Sequence, residues 1–187
     1  MTAEDRLAKL EARLQELTDR ELIFDCIKSS SRGTDRFDVE LVASCYHPDA
    51  IHDNGVRQVK AQGYGNDANA AHDMLFDAHL HNVTMQLCKI DGDEAHAESY
   101  SLGIFLDKGS EAGRILAGRY IDRLEKRDGE WRIALRRATI EIALEGKAAL
   151  PFNQSLAGSN YLKGDRNPAD ISYQRPLMTE GGSQWQP

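Results

Sequence analysis

The chain has 187 residues, 41% of them hydrophobic, which supports one domain with a core and falls short of two. A formal net charge of −7 with no basic run argues against a nucleic-acid partner, because phosphate binding wants a concentrated basic face. No apolar stretch reaches membrane-spanning length and the first residues lack a signal-peptide pattern, so a cytoplasmic protein without a membrane partner is expected.

Leu7, Leu10, Leu14 and Leu17 make one apolar stripe on a helix, read as an N-terminal extension over residues 1–17. That stripe suits a neighbouring subunit or the chain's own domain. Thr18 and Glu21 then read as a capping box that restarts a helix carrying Leu22, Ile23 and Ile27 and stopping near Gly33. Asp38 reads as the N-cap of a short helix, 39–46, ended by His47 and Pro48. Next come a short strand over 50–53 and a third helix over 66–78, with Asn66 as its cap.

From Asn82 the pattern changes to long strands, 82–90, 94–106, 114–126 and 130–143. Asp91-Gly92 and Asp128-Gly129 are hairpin signals, and a third turn lies in 108–113. Helices first and an antiparallel meander afterwards define an α+β domain over 18–146. In the third long strand, Arg114, Leu116, Gly118, Tyr120 and Asp122 share one face, and Ile115, Ala117, Arg119, Ile121 and Arg123 share the other. Both faces are mixed, which suits either a pocket lined by a few polar groups or a face covered by a subunit.

Residues 147–187 hold four of the five prolines and keep no period. They read as a tail, partly laid on the domain through Phe152, Leu156, Tyr161, Ile171 and Tyr173, and disordered from about Met178. Cys26, Cys45 and Cys88 match no metal or redox spacing and read as free thiols.

Taken in order, several motifs resemble the SnoaL-like branch of the nuclear-transport-factor-two-like superfamily over residues 18–143. They are Asp35-Arg36-x-Asp38, Tyr46-His47-Pro48-Asp49-Ala50, His79-x-x-Asn82, Asp91-Gly92-Asp93 running to Tyr100, Gly118-Arg119-Tyr120, and Gly129-x-Trp131-Arg132-Ile133. The resemblance implies a cone-shaped α+β barrel, with a curved, mostly antiparallel sheet and N-terminal helices covering its pocket. It points toward cofactor-free lyases such as scytalone dehydratase, hexachlorocyclohexane dehydrochlorinase and the formaldehyde lyases of lignin-derived compounds. The implied substrate is small, apolar and aromatic, with lignin-derived compounds included, and the implied assembly is a homo-oligomer, dimer or trimer. Isomerase or cyclase chemistry is a neighbouring reading. A different class, a non-catalytic binding or structural subunit like the β subunit of ring-hydroxylating dioxygenases, shares the fold.

The family's enzymes use an Asp on the first core helix to hold a His that acts as general base. By motif these fall on Asp35 and on His79 or His81, since the usual His position holds Ala78. Tyr100 and Tyr46 are candidates to protonate a leaving oxygen or orient a hydroxyl, with core packing as the other use of Tyr46. His52 sits on a strand that borders the family's pocket. Arg119 or Arg137 would bind a phenolate or carboxylate as a rigid fork, or else form cross-strand ion pairs with Asp122, Glu98 or Glu141. His47, His72 and His96 read as structural or surface residues. No metal is expected, because His72, His79 and Asp73 share no recognised ligand spacing.

Overall fold

A computed structural model describes residues 1–148 and 164–178. One helix, α1 (Ala3–Arg36), runs without a break from a capping box at Thr2 and Asp5. The restart expected at Thr18 is absent, and the side chain of Asp19 is used elsewhere. Its Oδ1 accepts from Trp131 Nε1 at 2.8 Å and from Lys126 Nζ at 2.9 Å. With neither Gly nor Pro between the two leucine patterns, nothing interrupts the backbone ladder.

The two halves of α1 differ in environment. Leu7, Leu10, Leu14 and Leu17 are all exposed. From Asp19 onward the buried positions include Ile23, Ile27, Ser30, Ser31, Thr34 and Asp35, a stripe at helical spacing that faces the sheet. The helix ends where Phe37 turns left-handed at φ 55°, and the Asp38 N–H closes the end on the Gly33 carbonyl at 2.8 Å. Gly33 is needed there, since a Cβ would lie 2.7 Å from Val42. Asp38 then caps α2 (Val39–Ser44), accepting from the Leu41 N–H at 2.9 Å.

The strands are β1 (Tyr46–Asp53), β2 (Gln58–Lys60), β3 (Phe76–Asp91), β4 (Glu94–Asp107), β5 (Ala112–Arg127) and β6 (Glu130–Lys147). They form one curled, open sheet of six strands in the order β2-β1-β6-β5-β4-β3. All neighbours are antiparallel except β1 and β6. Ile23 and Ile27 of α1 and Val42 and Cys45 pack on Leu124, Trp131 and Ile133 to make the core. The chain is thus α+β, with a mostly antiparallel sheet and N-terminal helices on its concave side.

The third helix, α3 (Tyr64–Leu75), starts earlier than expected and ends three residues short of 78. Residues from Phe76 onward pair with β4 instead, His79 opposite Phe105 and His81 opposite Gly103. Strand pairing overrode the helical pattern there, so the alternation of a strand governs this segment. Register slips mark β5 and β6, one between Ala117 and Gly118 and one between Arg123 and Leu124. The second leaves Ala134 as an extra residue in β6, because Leu124 pairs with Ile133 and Arg123 with Leu135.

From the C-terminal region, residues 164–178 lie on the domain. Asp170 takes Arg36 at 2.8 Å, Tyr173 donates to Asp38 at 2.9 Å, and Arg166 donates to the Phe76 carbonyl at 3.1 Å. Phe152, Leu156 and Tyr161, and the end of the tail beyond Met178, lie outside the described residues.

Candidate active site

A cavity of about 180 Å³ opens between the second half of α1, the start of β1, α3 and the concave faces of β3 to β6. An apolar cavity of about 150 Å³ accommodates benzene, so one substituted ring fits here.

One end holds Asp35 and His81. Asp35 belongs to the last turn of α1, at the end of its buried stripe. His81 lies two residues beyond His79 on β3, so both point to the same side. The His81 backbone N–H donates to Asp35 Oδ2 at 2.8 Å, and Nδ1 lies 2.7 Å from Asp35 Oδ1. A carboxylate accepts only, so this contact puts the imidazole proton on Nδ1 and leaves Nε2 with a lone pair. The His81 ring lines the cavity.

His79 sits deeper. Its side chain is fully buried, with Nε2 3.3 Å from the Thr34 carbonyl and 3.7 Å from Asp35 Oδ1. Its ring stacks on Phe37 with centroids 5.7 Å apart. Burial pushes the His79 pKa down to about 4 against the pull of Asp35. His72, expected as a structural or surface residue, lines the cavity from α3, and burial pushes it down to about 3.

The other end is polar and phenolic. Arg136 is buried, and its guanidinium forks Asp122 through Nε and Nη2, each at 2.8 Å. Its Nη1 donates to Ser30 Oγ at 2.7 Å, and the guanidinium lies 4.2 Å from the Tyr120 ring centre. Tyr46 hydroxyl and His52 Nδ1 are 3.2 Å apart, and His52 stacks on Tyr64 at 3.8 Å. Burial, helped by the Arg136 charge, lowers His52 to about 3, so the ring is neutral. Burial also raises the phenols of Tyr46, Tyr64 and Tyr120, which stay protonated. The corner is therefore rich in neutral hydrogen-bonding groups, and Asp122 offsets its one cation.

Of the residues singled out from sequence, His81, Tyr46 and His52 line this cavity, Asp35 reaches it only through His81, and His79 does not line it. Tyr100, Arg119 and Arg137 lie outside it. Tyr100 is 40% exposed, on the opposite face of β4 from Ser99, Ser101 and Gly103. Arg119 lies on the outer face of β5, bound to Glu98 at 3.0 Å and Glu141 at 2.5 Å, which is the cross-strand ion-pair alternative. Arg137 has a 66% exposed side chain and reaches Asp53 at 3.1 Å. The extra residue at Ala134 accounts for this: it reverses the alternation of β6 and turns Arg136 inward in place of Arg137. Nothing in the local pattern of β6 announces that bulge. Tyr64 and Tyr120 also line the cavity, and no motif marks either as a site residue. The one signal available was the face that Tyr120 shares with Gly118.

One ligand atom each from Asp35, His79 and His81 lies within 4.8 Å of the others, the group among the described residues able to hold a metal ion. Sequence spacing could not reveal it, since Asp35 and His81 stand 46 positions apart.

The fold and the residues gathered beneath the sheet define a protein of the nuclear-transport-factor-two-like superfamily. The model of the SnoaL-like domain matches residues 15–137, and the chain belongs to that family. Solved structures share the fold at low identity. A type 2 hexachlorocyclohexane dehydrochlorinase, LinA, superposes with a TM-score of 0.67 at 19% identity, covering 81% of this chain and 97% of that one. The type 3 LinA of Novosphingobium barchaimii gives 0.64 at 18%, covering 81% and 99%. A protein of Novosphingobium aromaticivorans, provisionally named a scytalone dehydratase, gives 0.62 at 19%, covering 69% and 88%. No curated protein matches the chain in sequence. Among the described residues no helix is long and apolar enough to cross a membrane.

Proposed function

We propose that the protein is a cofactor-independent lyase in which His81, held by Asp35, removes a proton from a small aromatic substrate. The observation that carries this reading is the 2.7 Å contact between Asp35 Oδ1 and His81 Nδ1 at the wall of a ring-sized cavity. A base needs a bare nitrogen facing the substrate, and the carboxylate supplies it by holding the proton on the far nitrogen. As the imidazolium forms, Asp35 stabilises it.

Two reactions fit. In a dehydration, Nε2 takes a C–H proton, the electron pair forms the double bond, and the hydroxyl leaves as water with a proton from the enzyme. In a formaldehyde-releasing retro-aldol step, Nε2 takes a hydroxyl proton and the carbon–carbon bond breaks. The electron pair stays on the remaining fragment, which recovers the proton from the imidazolium. In both, a protonated phenol such as Tyr46 assists the oxygen that accumulates charge, in place of the outward-facing Tyr100. His52, Tyr64 and Arg136 would orient the substrate's oxygens. The family likeness to LinA and to the scytalone dehydratase-like protein supports small-molecule elimination chemistry. The apolar outer sheet face, with Leu80, Leu102, Ile104 and Ile115 exposed, supports a homo-oligomer, dimer or trimer, and we read the protein as cytoplasmic.

The test is turnover on a panel of small aryl alcohols and aryl-propane diols, with water loss followed by absorbance and formaldehyde by trapping. The expected result is turnover that falls by roughly 10²–10⁴-fold in His81→Ala. Full activity in that variant would sink the assignment of the base. Absence of turnover, with the same compounds bound in the cavity, would move the protein to the binding-module class.

A further inference from the structure

The proposed chemistry uses one imidazole, yet three crowd the same corner. The ring centres of His72 and His79 are 4.3 Å apart, those of His79 and His81 5.8 Å, and those of His72 and His81 5.7 Å. Asp35 touches two of them, at 2.7 Å and 3.7 Å. Buried imidazole nitrogens ordinarily find hydrogen-bond partners. Here Nδ1 of His72 and Nδ1 of His79 are buried with no partner among the described residues. His79 is held only by its 3.3 Å contact to the Thr34 carbonyl, so its ring is free to turn at little cost in hydrogen bonding.

We propose that Asp35, His79 and His81 form a binding site for a divalent transition-metal ion of the zinc type, and that metal binding excludes base action by His81. Zinc takes imidazole and carboxylate ligands at about 2.0–2.2 Å in tetrahedral sites, which sets ligand atoms roughly 3.3–3.6 Å apart. The separations of 2.7 Å and 3.7 Å from Asp35 Oδ1 bracket that spacing, so small side-chain rotations complete three ligands. Metal binding at His79 uses Nε2, the nitrogen 3.7 Å from Asp35 Oδ1, so its proton passes to the unpartnered Nδ1 and the 3.3 Å contact to the Thr34 carbonyl is given up. His81 lines the cavity, so the fourth position is left for water or a ligand oxygen. His72, next to His79, stands where it would support a ligand or add one.

The exclusion follows from the tautomer. An ion bound between Oδ1 and Nδ1 displaces the proton held there. The neutral ring then carries its proton on Nε2, the nitrogen that the lyase needs bare. This consequence rests on the proposed lyase reading; the site itself does not.

The experiment is titration of the metal-stripped full-length protein with Zn²⁺ by calorimetry and with Co²⁺ by visible absorption. The expected result is one ion per chain, with the cobalt bands of a four-coordinate nitrogen and oxygen site. Asp35→Asn and His79→Asn should each weaken uptake by at least about 100-fold, beyond what loss of a mere supporting contact does. His96→Gln, on an exposed hairpin beside Glu94, should leave uptake unchanged and serves as the control for stray surface binding. Zinc should also suppress turnover in the wild type, and His79→Asn should raise the zinc concentration needed to suppress its remaining turnover. Absence of stoichiometric uptake by the wild type overturns the proposal, as does uptake that survives in both folded variants. If the variants do not fold, the wild-type cobalt spectrum decides, because octahedral water-like bands would mean no built site. Uptake without turnover of any substrate would leave the metal site standing and remove the lyase; turnover without uptake would do the reverse.

Discussion

Asp35 holds His81 by two atoms at once, the ring nitrogen at 2.7 Å and the backbone N–H at 2.8 Å. The second contact ties the carboxylate to the strand itself, so helix end and strand are registered before any substrate arrives. In the proposed lyase, Asp35→Asn keeps an oxygen for the backbone N–H but turns an amide NH₂ toward Nδ1. That forces the imidazole proton to Nε2. We expect the fold to survive and turnover to fall by roughly 10³–10⁴-fold. Circular dichroism and steady-state kinetics on the same preparation check both halves, and unchanged kcat/KM would remove the dyad.

The outward-facing residues give the converse test. Tyr100→Phe and Arg119→Gln alter groups on the far face of the sheet, Tyr100 40% exposed and Arg119 bound to Glu98 and Glu141. Turnover should stay within roughly 3-fold of wild type, because neither side chain lines the cavity. A larger loss from Tyr100→Phe would return that phenol to the mechanism.

Arg136 and Asp122 are both buried and fork each other. Arg136→Met leaves a buried carboxylate unpaired and should cost about 3–5 kcal/mol in urea unfolding. Removing the second charge as well, in Arg136→Met with Asp122→Leu, should recover most of that loss. A double variant as unstable as the single one would show that the pair is not the source of the cost.

Gly118 lies where β5 and β6 slip register, and a Cβ there would sit 1.9 Å from the Thr139 carbonyl oxygen. Backbone atoms cannot yield as a side chain does, so Gly118→Ala should destabilise by at least about 2 kcal/mol. At Gly103 a Cβ meets the Phe105 ring at 2.5 Å, which can swing away. Gly103→Ala should therefore cost less stability and instead push Phe105 within the cavity that both line. Thermal melts rank the two, and equal losses would contradict this account.

His52, His72 and His79 are neutral in the folded chain at about 3, 3 and 4, well below the usual histidine value of about 6.5. Below pH 6.5 the unfolded chain binds protons at these positions and the folded chain does not. Stability is thus fully present above about pH 6.5 and falls as the pH drops toward about 4, by on the order of a few kcal/mol. Unfolding free energies measured between pH 8 and pH 4 check the slope. A shallower slope in His72→Asn/His79→Asn than in wild type, with the His52 share remaining, would tie it to these rings, and an identical slope in both would not.

The order of helices and long strands, the Asp91-Gly92 and Asp128-Gly129 turns and the Asp38 cap were all legible in the sequence. These are local signals: a turn residue, a cap or a period acts within a few positions of itself. The shared face of Leu116, Gly118 and Tyr120 was legible for the same reason, since alternation within β5 alone places them together. The leucines before Thr18 were legible as a stripe, but not as part of one continuous helix with residues 18–36. A capping box and a helix interior accept the same residues at that point.

What tertiary structure alone decided was which partner won at each ambiguous position. Residues 76–78 continue a helical pattern, and only pairing with β4 turned them into strand, which set His79 and His81 on one side. Both histidines satisfy the motif equally well; the end of α1 chose His81 for Asp35 and left His79 buried behind it. One extra residue at Ala134 exchanged Arg137 for Arg136 in the cavity. A period of two carries no memory across a bulge, and a bulge is fixed by strands that meet only when the sheet closes over its helices.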